Sequence, residues 1–246
     1  MQELEGVHDA REPTAVTRRS LDAWPIYRAM VGVGLFTGLV IVTAFVATRP
    51  VIERKRAEAL QQAIFDVLPS ARSSVTFRLT ADERFVMTGD GADDGHLVHA
   101  AYDGSGAVIG VAIEARGAGY QDTIRVLYGY SFADEAVIGF RVLESRETPG
   151  LGARAANDPD FLANFDQLDV ALSADGTMLA HAIESVRHGE KQHGWEIDGI
   201  TGATVTSQAI ASMLNASVAF WIPRVRKAAD DFLRPGRSEV DELSTR

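Results

Sequence analysis

The chain opens its structural pattern with an apolar run. Between Arg28 and Arg49 lies AMVGVGLFTGLVIVTAFVAT, uncharged and apolar on every side of a helix. As a helix it reaches across a hydrocarbon core of about 30 Å, which predicts one transmembrane helix over 28–49. A cleaved signal peptide is the competing reading. The preceding residues are too many and contain five acidic groups, and the run exceeds a usual signal core, so an uncleaved anchor is favoured. Residues 1–27 are polar, with Pro13 and Pro25 and no sustained period, and read as an extension. Charge bias gives no orientation, because Arg11, Arg18, Arg19 and Arg28 are balanced by Arg49, Arg54, Lys55 and Arg56.

After the span the period changes. Ala57, Leu60, Ile64, Val67 and Leu68 share one face of a helix that Pro69 stops, so 50–70 reads as an amphipathic connection. Four short β-rich runs follow at 97–102, 107–116, 123–131 and 136–145, separated by Gly, Asp and Ser. Asp103-Gly104-Ser105-Gly106 suits a hairpin turn, and Gly117 and Gly119 suit the next bend. Helical character returns at 158–165 and, more strongly, at 205–222. The expected fold is α+β: an antiparallel β meander with packed helices, in one domain over 71–233, preceded by one N-terminal transmembrane helix. The tail over 234–246 is polar and outside that domain.

Charge and composition then remove function classes. A net charge of −10 argues against a nucleic-acid footprint, which needs clustered cations. With no cysteine, thiolate metal sites and protein-held iron–sulfur clusters are excluded, so redox chemistry here requires another cofactor.

The segment richest in chemistry is Asp198-Gly-Ile-Thr201-Gly202-Ala203-Thr204-Val-Thr206-Ser207, directly before the strongest apolar-periodic helix. Two readings stand side by side. Thr204 caps that helix, with Ile210, Met213, Leu214, Val218 and Trp221 facing the core. Alternatively the helix N-terminus, with Gly202 and Ala203 leaving room, receives a phosphate. A second segment, Glu147-Thr148-Pro149-Gly150-Leu151-Gly152, follows the last strand, and its Pro-Gly suits the middle of a type II turn.

Together the two segments resemble the flavinylation pattern Asp-x-x-(Ser/Thr)-Gly-Ala-(Thr/Ser) and the Glu-Thr-Pro-Gly-Leu-Gly loop of a known family. These are the G subunits of Rnf electron-transport complexes and the C subunits of sodium-translocating NADH:quinone reductases. The resemblance implies FMN joined by a phosphoester to Thr204, one per chain, after a flavin transferase has moved it from FAD. It implies Asp198, Thr201, Gly202 and Ala203 as the rest of the attachment motif, with Thr206 and Ser207 beside it. It also implies Glu147, Thr148, Leu151 and Gly152 as contacts of the flavin ring. The loop continues as Ala153-Arg154, where the family more often carries an acidic and a basic residue.

By the same resemblance the chain is expected to be a single-pass subunit in a bacterial inner membrane, with its FMN domain on the periplasmic side. Its partners would be the other membrane subunits of an Rnf-type, ion-translocating oxidoreductase, and it would relay electrons without completing a reaction alone. Two alternatives remain: a stand-alone membrane-tethered flavinylated carrier, and a non-catalytic membrane adaptor in which Thr204 is only a helix cap. His181, His188 and His193 lack ligand spacing, and Asp158, Asp160 and Asp166 lack the order of a calcium loop, so no metal is expected. No catalytic nucleophile or general base is assigned, since Glu147 has no partnered acid or nucleophile in the sequence.

Overall fold

The computed structural model describes residues 24–88 and 96–233. The expected polar extension up to residue 23 and the expected tail from 234 lie outside the described residues. The first element differs from expectation. Helix α1 (Trp24–Val67) is a single helix of 44 residues, where a spanning helix and a separate connecting helix were expected. It starts before residue 28 and passes through Pro50 without ending. Proline withholds one N–H bond and crowds one turn, a local defect that a helix can absorb as a bend. The charged stretch that follows is helix-compatible, as the Arg49–Glu53 ion pair one turn apart at 2.7 Å illustrates.

The chain divides into two compact units, one ending at Arg54 and one beginning at Lys55. In the first, Leu35, Phe36, Leu39 and Phe45 are all more than 60% exposed, so the apolar surface faces outward all round. That is the pattern of a helix whose solvent is lipid.

The second unit is built on a seven-stranded antiparallel sheet of order β2-β1-β3-β4-β5-β6-β7. Its strands are β1 (Ser73–Leu79), β2 (Phe85–Met87), β3 (Leu97–Tyr102), β4 (Val108–Ala118), β5 (Thr123–Ser131), β6 (Ala136–Glu144) and β7 (Leu168–Asp169). A two-stranded parallel pair, β8 (Glu184–Val186) with β9 (Glu196–Asp198), stands apart. The expected helix at 158–165 is one short α-turn, α2 (Pro159–Leu162), followed by a 3-10 turn. Asp158 caps α2, accepting the Phe161 N–H at 3.3 Å. The last long element is α3 (Thr204–Lys227).

The sheet is covered on both faces, and the period of two assigns each residue to a cover. Val111, Ile113, Ile124, Val126, Tyr128 and Tyr130 point to α3, whose Ile210, Leu214, Val218, Ile222 and Val225 are fully buried. Each such aliphatic side chain contributes about 1.5–3 kcal/mol by leaving water. On the other face Ala101, Ala112 and Leu127 meet Ala63, Ile64, Val67 and Leu68 at the end of α1. Two cross-strand partners, Gly129 and Gly139, make that approach possible. A Cβ on either would overlap the Val67 carbonyl oxygen, so the helix end sits in a notch that only glycine leaves open. After α3, Phe232 closes the far end of the core against Phe77 and Phe85, and its carbonyl accepts the Tyr102 hydroxyl at 2.9 Å.

Candidate functional site

Strand β9 delivers the chain to the start of α3 through a five-residue turn, 199–203. Gly202 has φ +84, a conformation that disfavours any residue with a Cβ. The residue in the cap position is Ala203, with φ −130 and no side-chain cap bond. The reading of Thr204 as a helix cap is therefore corrected: it is the first residue inside the helix, and it is exposed. The first helical bond is Ser207 N–H to Ala203 C=O at 3.0 Å. The amides of Thr204, Val205 and Thr206 lie ahead of it, at the positive end of the helix dipole.

Ser207 is fully buried and braces the turn from within. Its hydroxyl accepts the Ile200 N–H at 3.0 Å and donates to the Ala203 carbonyl at 3.1 Å. The Asp198 carboxylate is engaged by the 188–189 segment. One carboxylate oxygen accepts the Gly189 N–H at 2.7 Å, and the other lies 3.2 Å from His188 Nδ1. Its backbone is gripped on both sides by the buried Asn164, which accepts the Asp198 N–H at 2.9 Å and donates to the Asp198 carbonyl at 3.2 Å.

The loop after β6 is brought to the same place. Gly150 has φ +78, and Leu151 N–H reaches Thr148 C=O at 3.2 Å, the bond of a type II turn across Pro149-Gly150. The Thr148 hydroxyl donates to Gln121 Oε1 at 3.2 Å. Leu151 is 49% exposed, and its Cδ2 lies 3.6 Å from where a Cβ on Gly202 would stand. Arg154 ties the segments together, donating to the Thr201 carbonyl at 3.3 Å and pairing with Asp158. Thr201 and Gly202 themselves are exposed.

Glu147, in contrast, is buried at 6% exposure. Its Oε1 accepts the Gln121 N–H at 3.0 Å and its Oε2 accepts the Thr206 hydroxyl at 2.7 Å. Burial by itself would raise its carboxyl, but donors from Gln121, Thr206, Asp122 and Tyr120 outweigh that and hold it below the usual range. A Cβ on Gly119 would overlap Oε1, and one on Gly152 would overlap both Oε2 and Thr206 Oγ1. Two glycines from different segments thus make the slot for this carboxylate.

Gly119 was read from the sequence as part of a bend and Arg154 as the continuation of the 147–152 loop, but Asn164 was not singled out. A spacing argument has no access to Asn164, which acts across 34 residues on Asp198. His181 and His193 stack on the two faces of Trp195, with centroids 3.8 and 4.4 Å away. Among the described residues no three His, Asp or Glu side chains converge as a metal site.

The assembled site is an exposed threonine hydroxyl on an uncapped helix N-terminus, flanked by an exposed apolar loop. Free amides and the helix dipole suit an anion here, and no side chain at Gly202 obstructs the approach.

A family model described as the FMN-binding domain matches residues 119–219, a span that includes Gly119, Glu147, Gly152, Thr204 and Thr206. The fold is similar to the crystal structure of Shewanella oneidensis NqrC, with a TM-score of 0.51 at 17% identity over 78% of this chain and 99% of that one. The chain thus carries a match to the FMN-binding domain on a fold similar to that of NqrC. Among curated proteins the chain is 30% identical to the G subunit of the ion-translocating oxidoreductase complex of Methanosarcina acetivorans, over 77% of this chain and 89% of that protein. It is 34% identical to the G subunit of the same kind of complex from Cereibacter sphaeroides, over 74% of this chain and 76% of that protein. The chain belongs to the family of G subunits of ion-translocating oxidoreductase complexes.

Proposed function

We propose that this chain is the flavin-carrying subunit of a membrane-bound, Rnf-type ion-translocating electron-transport complex, with FMN esterified through its phosphate to Oγ1 of Thr204. The observation that carries the reading is the exposed Thr204 at the start of a 24-residue helix whose N-cap offers no side chain. The maturation step balances as a transfer from FAD by a partner flavin transferase. The Thr204 Oγ1–P bond forms, the pyrophosphate P–O bond breaks, AMP departs, and the hydroxyl proton is lost.

Bound FMN supplies a carrier that accepts and releases electrons between redox centres of the complex. The chain's own residues supply the setting. The amides of Thr204, Val205 and Thr206 and the α3 dipole stabilise the phosphate charge. Gly202 keeps the approach open, while Ser207, Thr201 and Asp198 hold the turn that presents Thr204. Thr148 and Leu151 form the nearby ring-facing edge, and Glu147, Gly152 and Thr206 support it from beneath. An ester keeps the cofactor on the chain where a dissociated one would be lost, as on the outer side of a membrane. The apolar part of α1 anchors the chain among the other membrane subunits, with the domain from 71 to 233 on the extracytoplasmic side.

The test is the full-length protein co-produced with a flavin transferase, read by flavin fluorescence after denaturing electrophoresis and by intact mass. Wild type and Thr204→Ser retain one FMN through denaturation, and Thr204→Val carries none. A wild-type chain with no added FMN mass refutes the proposal.

A further inference from the structure

Asn164 is 4% exposed and lies in the 3-10 turn 163–165, flanked by Phe161 and Phe165 of the core. Phe165 stacks on Phe140 of β6 with ring centroids 4.1 Å apart, and Phe161 meets Phe165 edge-on at 5.4 Å. The backbone that carries Asn164 is therefore mounted on the main sheet. Its carboxamide reaches the last residue of β9. The Val186 carbonyl of β8 accepts the Gly199 N–H at 3.0 Å, so the N–H and C=O of Asp198 lie on the outer edge of this parallel pair. Asn164 meets both: Oδ1 accepts the Asp198 N–H at 2.9 Å, and Nδ2 donates to the Asp198 carbonyl at 3.2 Å. One side chain thus does for Asp198 what a third strand would do, and satisfies backbone groups that β8 cannot reach.

The other hydrogen-bonding positions of the carboxamide are filled as well. Oδ1 also accepts the Lys191 ammonium at 3.1 Å. Nδ2 also donates to the Phe161 carbonyl at 2.9 Å, with the Asp160 carbonyl at 3.5 Å. Donors surround the oxygen and carbonyls surround the nitrogen, which admits one orientation of the amide. A cation on the oxygen makes the N–H groups better donors, so Lys191 strengthens the grip on the Asp198 carbonyl.

Asp198 opens the segment that runs through the 199–203 turn to Thr204. Ser207 braces the far end of that turn, and Asn164 holds the near end. We propose that Asn164 is a positioning residue for FMN transfer: by holding the Asp198 backbone it fixes where the turn begins, and so where the Thr204 hydroxyl stands on the domain. The inference rests on the ester at Thr204. In that transfer the Oγ1–P bond forms as the FAD pyrophosphate P–O bond breaks, AMP departs and the hydroxyl proton is lost. Asn164 acts on these atoms only through the backbone. Oγ1 must approach the phosphorus opposite the departing oxygen, so a displaced hydroxyl is felt in the rate.

The test uses detergent-solubilised full-length wild type, Asn164→Ala, Lys191→Met and Gly139→Ala, each produced without a flavin transferase and then given the transferase and FAD. The kcat and KM of FMN transfer are read from the gain of covalent FMN mass, at a temperature where every chain is folded. Amide exchange of residues 199–203 is measured on the same chains before the transferase is added. Asn164→Ala should lower kcat about tenfold with KM unchanged. It should also speed exchange of 199–203 about tenfold, the loss of one buried hydrogen bond. Lys191→Met leaves the carboxamide in place and should move both readouts the same way by a smaller factor. Gly139→Ala loosens the opposite face of the sheet, where α1 packs, and should leave kcat and KM at wild-type values. If Asn164→Ala does not fold, Lys191→Met carries the test.

A kcat at or above the wild-type value in Asn164→Ala and Lys191→Met overturns the positioning role. A fall no larger than that of Gly139→Ala assigns the effect to lost stability and overturns it too. So does a lower kcat with exchange of 199–203 unchanged, or a raised KM alone, which makes this region a docking face for the transferase. A wild type that gains no FMN mass refutes the Thr204 ester instead, and the exchange data then still decide whether Asn164 holds the turn.

Discussion

Ser207→Ala removes a hydroxyl that never reaches the surface, and the structure allows its cost to be worked out. The wild-type hydroxyl accepts the Ile200 N–H at 3.0 Å and donates to Ala203 C=O at 3.1 Å, with both bonds in a buried setting. Alanine leaves the Ala203 carbonyl its helical partner, the Ser207 N–H, but leaves the Ile200 N–H without its acceptor. A buried donor stripped of its partner costs about 1–3 kcal/mol, and the second lost bond about 0.5–1.5 kcal/mol. No large cavity offsets or adds to this, since a single oxygen is removed. The expected loss is therefore about 2–3 kcal/mol, or about 5–10 °C in melting temperature for a domain of this size. Urea unfolding of the detergent-solubilised full chain, followed by tryptophan emission, measures it. The flavin arm is equally defined: a loosened 199–203 turn presents Thr204 less often, so FMN incorporation falls while Thr204 itself is intact. A loss below about 0.5 kcal/mol, the range of an ordinary surface substitution, would show that the turn does not depend on this hydroxyl.

Three further outcomes are expected in the domain. Gly139→Ala puts a Cβ into the Val67 backbone, so the end of α1 must lift from the sheet; about 1–3 kcal/mol of stability should be lost, measurable by the same unfolding assay. Gly106→Ala, at φ +84 with open space around it, is the control and should cost only the backbone strain, about 1 kcal/mol. For acid dependence, Glu147 is bonded as a carboxylate and titrates in the folded chain below its ordinary value of 4.5. Its contribution is present above the unfolded value and is lost as pH falls through the folded one. Unfolding midpoints taken from neutral pH downward should decline below about pH 4.5, and Glu147→Gln should flatten that decline; equal slopes in the two proteins would refute the assignment.

Much of the scaffold was legible because its period was unambiguous. The runs at 97–102 and 123–131 became strands with those bounds, and the neighbouring pair differed by one or two residues. Strand β1, Ser73–Leu79, was not anticipated, because its Ser, Thr and Arg positions blur the alternation. Strands β7, β8 and β9 have two or three residues each, and such pieces exist only because a partner strand is supplied from elsewhere. The single helix α1 was missed for a local reason: Pro50 and the charges around it read as a boundary, while the backbone needed only to do without one bond.

The chemistry at Thr204 divides along the same line. Local sequence by itself determined the ingredients: a hydroxyl, a glycine able to take positive φ, a helix beginning at that point, and a Pro-Gly turn. Those depend on residues within a few positions of one another, so pattern reaches them. Tertiary structure alone showed that Thr204 is exposed inside the helix with Ala203 in the cap position. It alone decided that Glu147 is buried and bonded at both oxygens, since its partners at Gln121 and Thr206 are 26 and 59 residues away. A carboxylate's role depends on what reaches its two oxygens, and that is settled by packing.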